Sequence, residues 1–321
     1  MSCLTVNNLE VTFSIQKQKA RAVRGVSFEL GNTRTLGIVG ESGCGKSITA
    51  LSIMRLIPSP PGKIEAGEVH FEQKNLLSLP ERQMRSIRGK RISMIFQDPM
   101  TSLNPVFTCG NQIAEALRLH KGMSRDEAAA FGMELLSEVG ITEPLRAWSS
   151  YPHQLSGGMR QRIMIAMALS CSPRLLIADE PTTALDVTVQ AKLLELLKKL
   201  QDTKDMSMIL ITHNLGIVAG MAHDVIVMYA GEVMESAAAR ELFDSPLHPY
   251  TVCLLKTIPA VERREERLTV IPGSVPTLLD IPDGCPFHPR CPQAVERCKK
   301  EHPPLHNVNG SKRLVRCHLY E

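Results

Sequence analysis

Eight consecutive residues near the N-terminus have the composition of a phosphate-binding loop. Residues 40–47 read GESGCGKS and fit G-x-x-x-x-G-K-[ST] at every fixed position. In such a loop the backbone N–H groups wrap a phosphate, the lysine reaches the β- and γ-phosphates, and the final hydroxyl ligates Mg²⁺. The residues expected to bind a nucleoside triphosphate are Gly40, Glu41, Ser42, Gly43, Cys44, Gly45, Lys46 and Ser47.

Two adjacent carboxylates follow a short apolar run later in the chain. Residues 175–178 read LLIA and are followed by Asp179 and Glu180. We expect Asp179 to hold Mg²⁺, directly or through water, and Glu180 to polarise the attacking water as a general base. An apolar run that ends in two carboxylates is often only the end of a strand. Because the same chain also has a phosphate loop, the two motifs together indicate hydrolysis of a nucleoside triphosphate.

Three further features have the types and positions of ligand-binding residues. Residues 155–159 read LSGGM and look like a second phosphate-binding turn, because the glycines allow close backbone approach and a helix follows. Gln97 follows a predicted strand at 91–96, and His213 follows a predicted strand at 206–212. Doubly wound sheets place their ligands at such strand ends, although a lone glutamine or histidine is usually structural.

The elements that must position these residues are short apolar strands alternating with helices. Residues 4–13 and 23–30 alternate like strands around a polar turn at 16–19, and residues 35–39 lead into the phosphate loop. Helical periodicity marks residues 48–57, and the stretch 108–172 is helix-rich. Short, mostly apolar runs at 174–178, 206–212 and 224–228 are predicted strands and suit a buried parallel sheet. We therefore predict an α/β nucleotide-binding core with a helical insertion.

Composition excludes several other classes. The chain has 321 residues, is 43% hydrophobic and carries a formal charge of +4 without a long basic run, which gives no case for nucleic-acid binding. No run approaches the length of a membrane span. The first residues lack a basic region followed by an apolar core, so we expect no secretory signal.

The last part of the chain is rich in proline and cysteine. Of the 21 prolines, 11 lie between Pro246 and Pro304, which disfavours long helices and central strands, so this tail must be disordered or held by something else. Four of the nine cysteines gather here with spacings of 5, 6 and 18 residues, unlike those of zinc ribbons or bacterial ferredoxins. They are Cys285, Cys291, Cys298 and Cys317.

In their order and spacing these motifs resemble the ATP-binding cassette of ABC transporters, over residues 4–245 almost continuously. The resemblance implies a P-loop NTPase fold of class α/β: a RecA-like parallel-sheet core with an N-terminal antiparallel β subdomain and an α-helical subdomain at about 108–172. It implies domain bounds of 1–245 for the cassette and 246–321 for a C-terminal extension.

The resemblance also assigns roles. Residues 40–47 match the Walker A loop, Asp179 and Glu180 the end of Walker B, and His213 the catalytic switch histidine. Gln97 matches the Q-loop glutamine, which contacts ATP and Mg²⁺ together with Ser47 and Asp179. Further family positions are the adenine-stacking Phe13, the signature residues Ser156, Gly157 and Gly158, and the D-loop Asp186.

A signature turn in this family caps the ATP held by a second cassette, so the resemblance implies a dimer. Narrower stretches, FQDPMTSLNP at 96–105, YPHQLS at 151–156 and HPYT at 248–251, resemble the ATPases of peptide and nickel importers, most closely the D-type subunit. The implied partners are an F-type ATPase, two permease subunits and an extracytoplasmic binding protein. The implied location is peripheral, on the cytoplasmic face of the bacterial inner membrane, with residues 100–112 against the permease.

For the four cysteines the resemblance implies a 4Fe-4S cluster. Zinc is the main alternative, with nearby histidines as substitute ligands, and four free thiols is the third. Those histidines are His288, His302, His306 and His318. We expect the bound metal to have a structural role, because the proline-rich tail has little else to fold around.

The expected function is ATP hydrolysis that drives dipeptide or oligopeptide import. One alternative is an importer of nickel or nickel chelates. Another is a soluble, non-transport ABC ATPase, which usually carries two cassettes or a long coiled coil, neither of which occurs here. A third makes the tail a metal-sensing module that regulates the ATPase.

Overall fold

The computed structural model describes residues 2–182, 187–257, 271–308 and 310–321. Its strands are β1 Ser2–Ile15, β2 Gln18–Gly31, β3 Thr35–Val39, β4 Gly62–Phe71, β5 Lys74–Asn75, β6 Ile92–Ile95, β7 Leu175–Asp179, β8 Ser207–Ile211, β9 Asp224–Tyr229, β10 Glu232–Ala238, β11 His306–Asn307 and β12 Leu314–Val315. Its helices are α1 Lys46–Ile53, α2 Glu81–Ile87, α3 Pro99–Ser102, α4 Cys109–Lys121, α5 Arg125–Glu138, α6 Pro144–Ser149, α7 Gly157–Leu169, α8 Val187–Thr203, α9 Leu215–Met221, α10 Ala239–Asp244, α11 Pro249–Lys256 and α12 Glu296–Lys300.

The chain divides into two compact units. The first unit holds residues 31–33 and 78–209, and the second holds residues 2–30, 34–77 and 210–321. The boundary falls inside β8. The proline- and cysteine-rich tail shares the second unit with the phosphate loop, whereas the helical stretch lies in the first.

The first unit combines a short parallel sheet with a helical layer. β6 and β7 pair in parallel, with Ile92 opposite Leu175 and Ile95 opposite Ala178, and β8 follows β7 in the strand order. β7 is buried along its whole length, as expected for a parallel strand covered on both faces. α5 begins at a capping box between Ser124 and Glu127, which satisfies two N–H groups of the helix start.

The second unit contains an antiparallel sheet and a mixed one. The antiparallel sheet has the order β2-β1-β4-β5, and β1 pairs with β4 antiparallel. In the mixed sheet, β3 pairs in parallel with β9, which pairs antiparallel with β10; β12 and β11 extend that edge. β3 is entirely buried, so the strand that leads into the phosphate loop is anchored in the core.

The tail is held by packing against this core. Tyr250, Ile271 and Phe287 are buried in one cluster with Val39 and Tyr229. Phe287 meets the Tyr229 ring edge-on at 5.4 Å between centroids. Of the two outcomes expected for a proline-rich tail, its described part shows the ordered one.

The predicted strands and helices are found with shifted ends. The helix expected at residues 48–57 runs from Lys46 to Ile53, and Arg55, just after it, has a φ of 51°. That left-handed conformation ends the helix before Pro58 is reached. β4 and β10 were not predicted. Among the described residues, no helix is long and apolar enough to cross a membrane.

Candidate functional site

The phosphate loop joins β3 to α1 in the second unit. Gly45 has a φ of 102°, and a Cβ there would stand 2.7 Å from the Ala22 carbonyl oxygen, so only glycine fits. Ser42 and Gly43 are exposed, whereas Ser47 is half-buried in the first turn of α1. The loop thus offers an open rim above a helix N-terminus, the arrangement that binds a phosphate.

Lys46 is buried beneath this loop and closes it. Its Nζ atom donates to the carbonyl oxygens of Gly40 at 2.8 Å and of Glu41 at 3.0 Å. An ammonium has three N–H donors, and these contacts place the charge directly under the loop. Cys44 is fully buried, its N–H donates to the Glu41 carbonyl at 3.3 Å, and burial raises the pKa of its thiol. Cys44 therefore supports the loop and is not an exposed nucleophile.

Phe13 and His213 also lie in the second unit. Phe13 is half-buried on β1 opposite Gly62, which leaves part of its ring accessible. His213 is exposed just after β8, and Asn214 beside it caps α9 by accepting from the N–H groups of Gly216 and Ile217. The roles of Phe13 in adenine stacking and of His213 in catalysis remain predictions.

The acidic strand end lies in the first unit together with the Q-loop glutamine. Asp179 is buried at the end of β7, and Glu180 follows it with a φ of 46°. This left-handed backbone ends the extended conformation of β7 at Glu180. Its carboxylate accepts a hydrogen bond from Gln97 Nε2 at 2.9 Å. The structure therefore brings together two residues that are 83 positions apart in the sequence.

The signature turn begins α7 in the same unit. Ser156 caps the helix by accepting from the Met159 N–H at 3.3 Å, and Gly157 is exposed with open space around it. Further along α7, buried Gln161 donates to the carbonyl oxygen of Pro181, one residue after Glu180. The helix that begins at the signature turn is thus tied to the acidic strand end. The D-loop residue Asp186 lies outside the described residues.

The four tail cysteines line one small cavity of about 20 Å³ in the second unit. Cys285 N–H donates to the Cys298 carbonyl at 2.8 Å, and burial raises the pKa of the Cys285 thiol to about 12. Of the histidines considered as substitute ligands, His288 and His318 reach the cavity wall. His318 has both ring nitrogens engaged, with Glu321 and the Glu301 carbonyl.

All nine cysteines, each within a described range, are free thiols. Among the described residues, no group of three or more His, Cys, Asp or Glu side chains is placed to hold a metal ion. The described side chains are therefore not arranged as the ligands of a single metal ion.

Sequence reasoning missed the residues that hold the phosphate loop from the tail. Tyr250 Oη accepts from the Glu41 N–H at 3.0 Å, and Arg290 forms an ion pair with the Glu41 carboxylate. From the sequence alone, HPYT at 248–251 indicates only the subfamily. In the structure His248 caps α11, with its Nδ1 accepting from the Tyr250 N–H at 3.0 Å. Nothing in the sequence links positions 41, 250 and 290.

Comparison with known proteins identifies two family regions in the chain. Residues 23–183 match the family described as ABC transporter, and residues 234–298 match the oligopeptide/dipeptide transporter C-terminal region. The oligopeptide transport ATP-binding protein AppD of Bacillus subtilis is 52% identical over 99% of this chain and 97% of its own length. The dipeptide transport ATP-binding protein DppD of Escherichia coli is 48% identical over the same shares.

Among solved structures, the fold is similar to the dimeric ATP-binding cassette MJ0796 in a post-hydrolysis state with ADP and Pi. The TM-score is 0.67 at 28% identity, and the match covers 74% of this chain and 99% of that one. CbiO1 of Clostridium perfringens, part of the ABC transporter complex cbiONQ, gives a TM-score of 0.63 at 24% identity over 76% of this chain.

Proposed function

The chain belongs to the ATP-binding subunits of ABC transporters, and on that premise we propose that it hydrolyses ATP to drive the import of dipeptides or oligopeptides. The observation that carries the proposal is the near full-length similarity to two ATP-binding proteins named for peptide transport. The same chain also carries the C-terminal region of that transporter class. Neither relative is named for nickel, so the nickel alternative is not favoured.

The proposed roles at the nucleotide are those that the family motifs assign to these residues. Lys46 and the N–H groups of the loop would bind the phosphates, and Ser47, Gln97 and Asp179 would hold the Mg²⁺ that accompanies ATP. Glu180, oriented by Gln97, accepts the proton of the attacking water, and His213 acts with it at the γ-phosphate.

We propose that a second cassette completes each site. The signature residues Ser156, Gly157 and Gly158 begin α7, whose N-terminal N–H groups suit an anionic ligand. The exposed Gly157 leaves room for a phosphate from another subunit. An F-type subunit is the proposed partner, with ATP holding the two cassettes together and hydrolysis releasing them.

The surface proposed to contact the permease is a groove beside α4 whose lining mixes polar, charged and apolar side chains. Its lining includes Phe107, Gln112, Arg118 and Leu119, and its volume is about 790 Å³. Phe107 is 51% exposed and Leu119 73% exposed, and the neighbouring Val106 is 68% exposed. Clustered exposed apolar side chains mark interaction sites, which supports docking of a permease segment on residues 100–112.

Peripheral membrane attachment through this groove can be tested by co-expression. The chain should be recovered with membranes only when its permease subunits are present, and Phe107→Glu should reduce that recovery several-fold. Leu145→Glu is the matched control, because Leu145 is 69% exposed in the same unit but does not line the groove. Equal membrane recovery with and without the permease would contradict the proposal.

We also propose that the four tail cysteines hold a 4Fe-4S cluster. Its support is that Cys285, Cys291, Cys298 and Cys317 line a single cavity, although the thiols are not placed to hold a single ion. Buried thiols of raised pKa bind metal only by losing their protons. The cluster would supply a structural cross-link between segments of the tail.

A further inference from the structure

The second residue of the phosphate loop is fixed by the tail through its side chain. Arg290 Nη1 lies 2.7 Å from Glu41 Oε2, and Arg290 Nη2 lies 2.9 Å from Glu41 Oε1. This is a bidentate guanidinium–carboxylate pair, which fixes orientation as well as charge. The Arg290 side chain is 5% exposed and that of Glu41 is 26% exposed, so solvent screens the pair only in part.

The backbone of the same loop residue is fixed on both sides. The Glu41 N–H donates to Tyr250 Oη at 3.0 Å, and the Glu41 carbonyl accepts from Lys46 Nζ at 3.0 Å. Glu41 therefore connects the tail to the lysine that is expected to bind the phosphates. A rotation of this residue would move the carbonyl that holds the ammonium.

Arg290 is itself rigidly placed, so it can act as an anchor. Its Nε atom donates to the Pro272 carbonyl at 2.9 Å, and Nη1 also donates to Tyr229 Oη at 3.3 Å. Tyr229 packs against Tyr250 and Phe287 in the core of the second unit. The guanidinium is thus held by groups on both the tail and the sheet.

We propose that Arg290 is a positioning residue for the phosphate loop, so that the C-terminal extension completes the ATP site of its own chain. The inference rests on the proposed binding of ATP to residues 40–47. Arg290 acts in two ways: it fixes the Glu41 peptide that holds Lys46, and it neutralises a carboxylate that would otherwise repel the triphosphate.

The test compares ATP affinity among full-length variants, with a fluorescent ATP analogue as the probe. Arg290→Gln should raise the dissociation constant roughly 5- to 20-fold, the usual size of a coupling between sites. Arg290→Lys should give a smaller increase, because lysine keeps the charge but not the bidentate geometry. In the assembled importer, Arg290→Gln should raise the KM for ATP and leave kcat at saturating ATP within about twofold.

Arg313→Gln is the matched control. The Arg313 side chain is 10% exposed, close to the 5% of Arg290, and pairs with buried Glu235 at 2.7 Å, but it does not contact the phosphate loop. It should lower the unfolding temperature without changing ATP affinity. Glu41→Gln combined with Arg290→Gln should bind ATP no more weakly than Arg290→Gln alone, because the unpaired carboxylate is then removed.

The outcomes distinguish the proposed binding of ATP from the proposed role of Arg290. If the unsubstituted chain does not bind ATP, the proposed function fails and the role of Arg290 fails with it. If that chain binds ATP and Arg290→Gln binds it equally well, or if Arg313→Gln weakens binding by the same factor, only the role of Arg290 is overturned. Should Arg290→Gln not fold, Arg290→Lys and Glu41→Gln decide, and unchanged affinity in both overturns the proposal.

Discussion

Gln97 donates a hydrogen bond from its side-chain amide to the Glu180 carboxylate over 2.9 Å. The contact joins Gln97, the second residue after β6, to Glu180, the first residue after β7, and these two strands pair in parallel. Their carboxyl ends therefore lie at the same sheet edge, where such folds place ligands. This hydrogen bond would orient the proposed general base before water attacks the γ-phosphate.

Replacing Glu180 with glutamine tests the assignment of the general base. Glu180→Gln preserves shape but cannot accept a proton, so ATP hydrolysis should fall by about 10²–10⁴-fold while ATP binding persists. Phosphate release and nucleotide binding, measured on the same preparation, separate the two effects. Glu195→Gln, an exposed position on α8, is the control and should hydrolyse ATP normally. Turnover near the unsubstituted rate in Glu180→Gln would assign the base elsewhere.

The iron–sulfur proposal is tested by replacing one cysteine of the cavity. Cys291→Ser should abolish the brown absorbance and most of the bound iron and sulfide of protein purified without oxygen, because serine is a poor iron ligand. Cys253→Ser is the matched control, since Cys253 packs against the same core but does not line the cavity. Bound zinc without iron in the unsubstituted chain would favour the alternative metal. If the unsubstituted chain contains neither iron nor zinc, the four cysteines are structural thiols and the metal proposal is wrong.

The packing of the tail predicts a large stability effect at one aromatic residue. Phe287 is 1% exposed and contacts Tyr229 and Tyr250, so Phe287→Ala should destabilise the second unit by about 3–5 kcal/mol. The unfolding temperature, measured by calorimetry, should fall clearly. Val295→Ala, at a position 47% exposed, should change the free energy of unfolding by no more than about 0.5 kcal/mol. An unchanged transition in Phe287→Ala would mean that the tail does not pack as described.

The sequence was most informative where local pattern and chemistry coincide. The buried strands β3, β7, β8 and β9 were predicted because each is a short, mostly apolar run. The family assignment was confirmed by the comparisons. The helix after the phosphate loop was predicted too long, since nothing local announced the left-handed residue Arg55. The assigned roles of individual site residues and the domain bounds of 1–245 and 246–321 stay predictions.

Long-range contacts were out of reach of the sequence. Arg290 and Glu41 are separated by 249 positions, and neither has a composition that marks it as a partner of the other. Glu235 is likewise buried in β10, where it accepts from the Leu247 and His248 N–H groups and pairs with Arg313. Such contacts depend on how the tail packs against the core, and the spacing of apolar residues in the sequence does not predict that packing.

The most direct measurement of the central claim is peptide uptake by sealed vesicles that contain the permease subunits, this chain and its partner ATPase, with the binding protein outside and ATP inside. A labelled dipeptide or a longer labelled peptide should accumulate only with enclosed ATP, and Glu180→Gln should stop the accumulation. Uptake that continues without ATP or in Glu180→Gln, or uptake of chelated nickel and of neither peptide, would contradict the account.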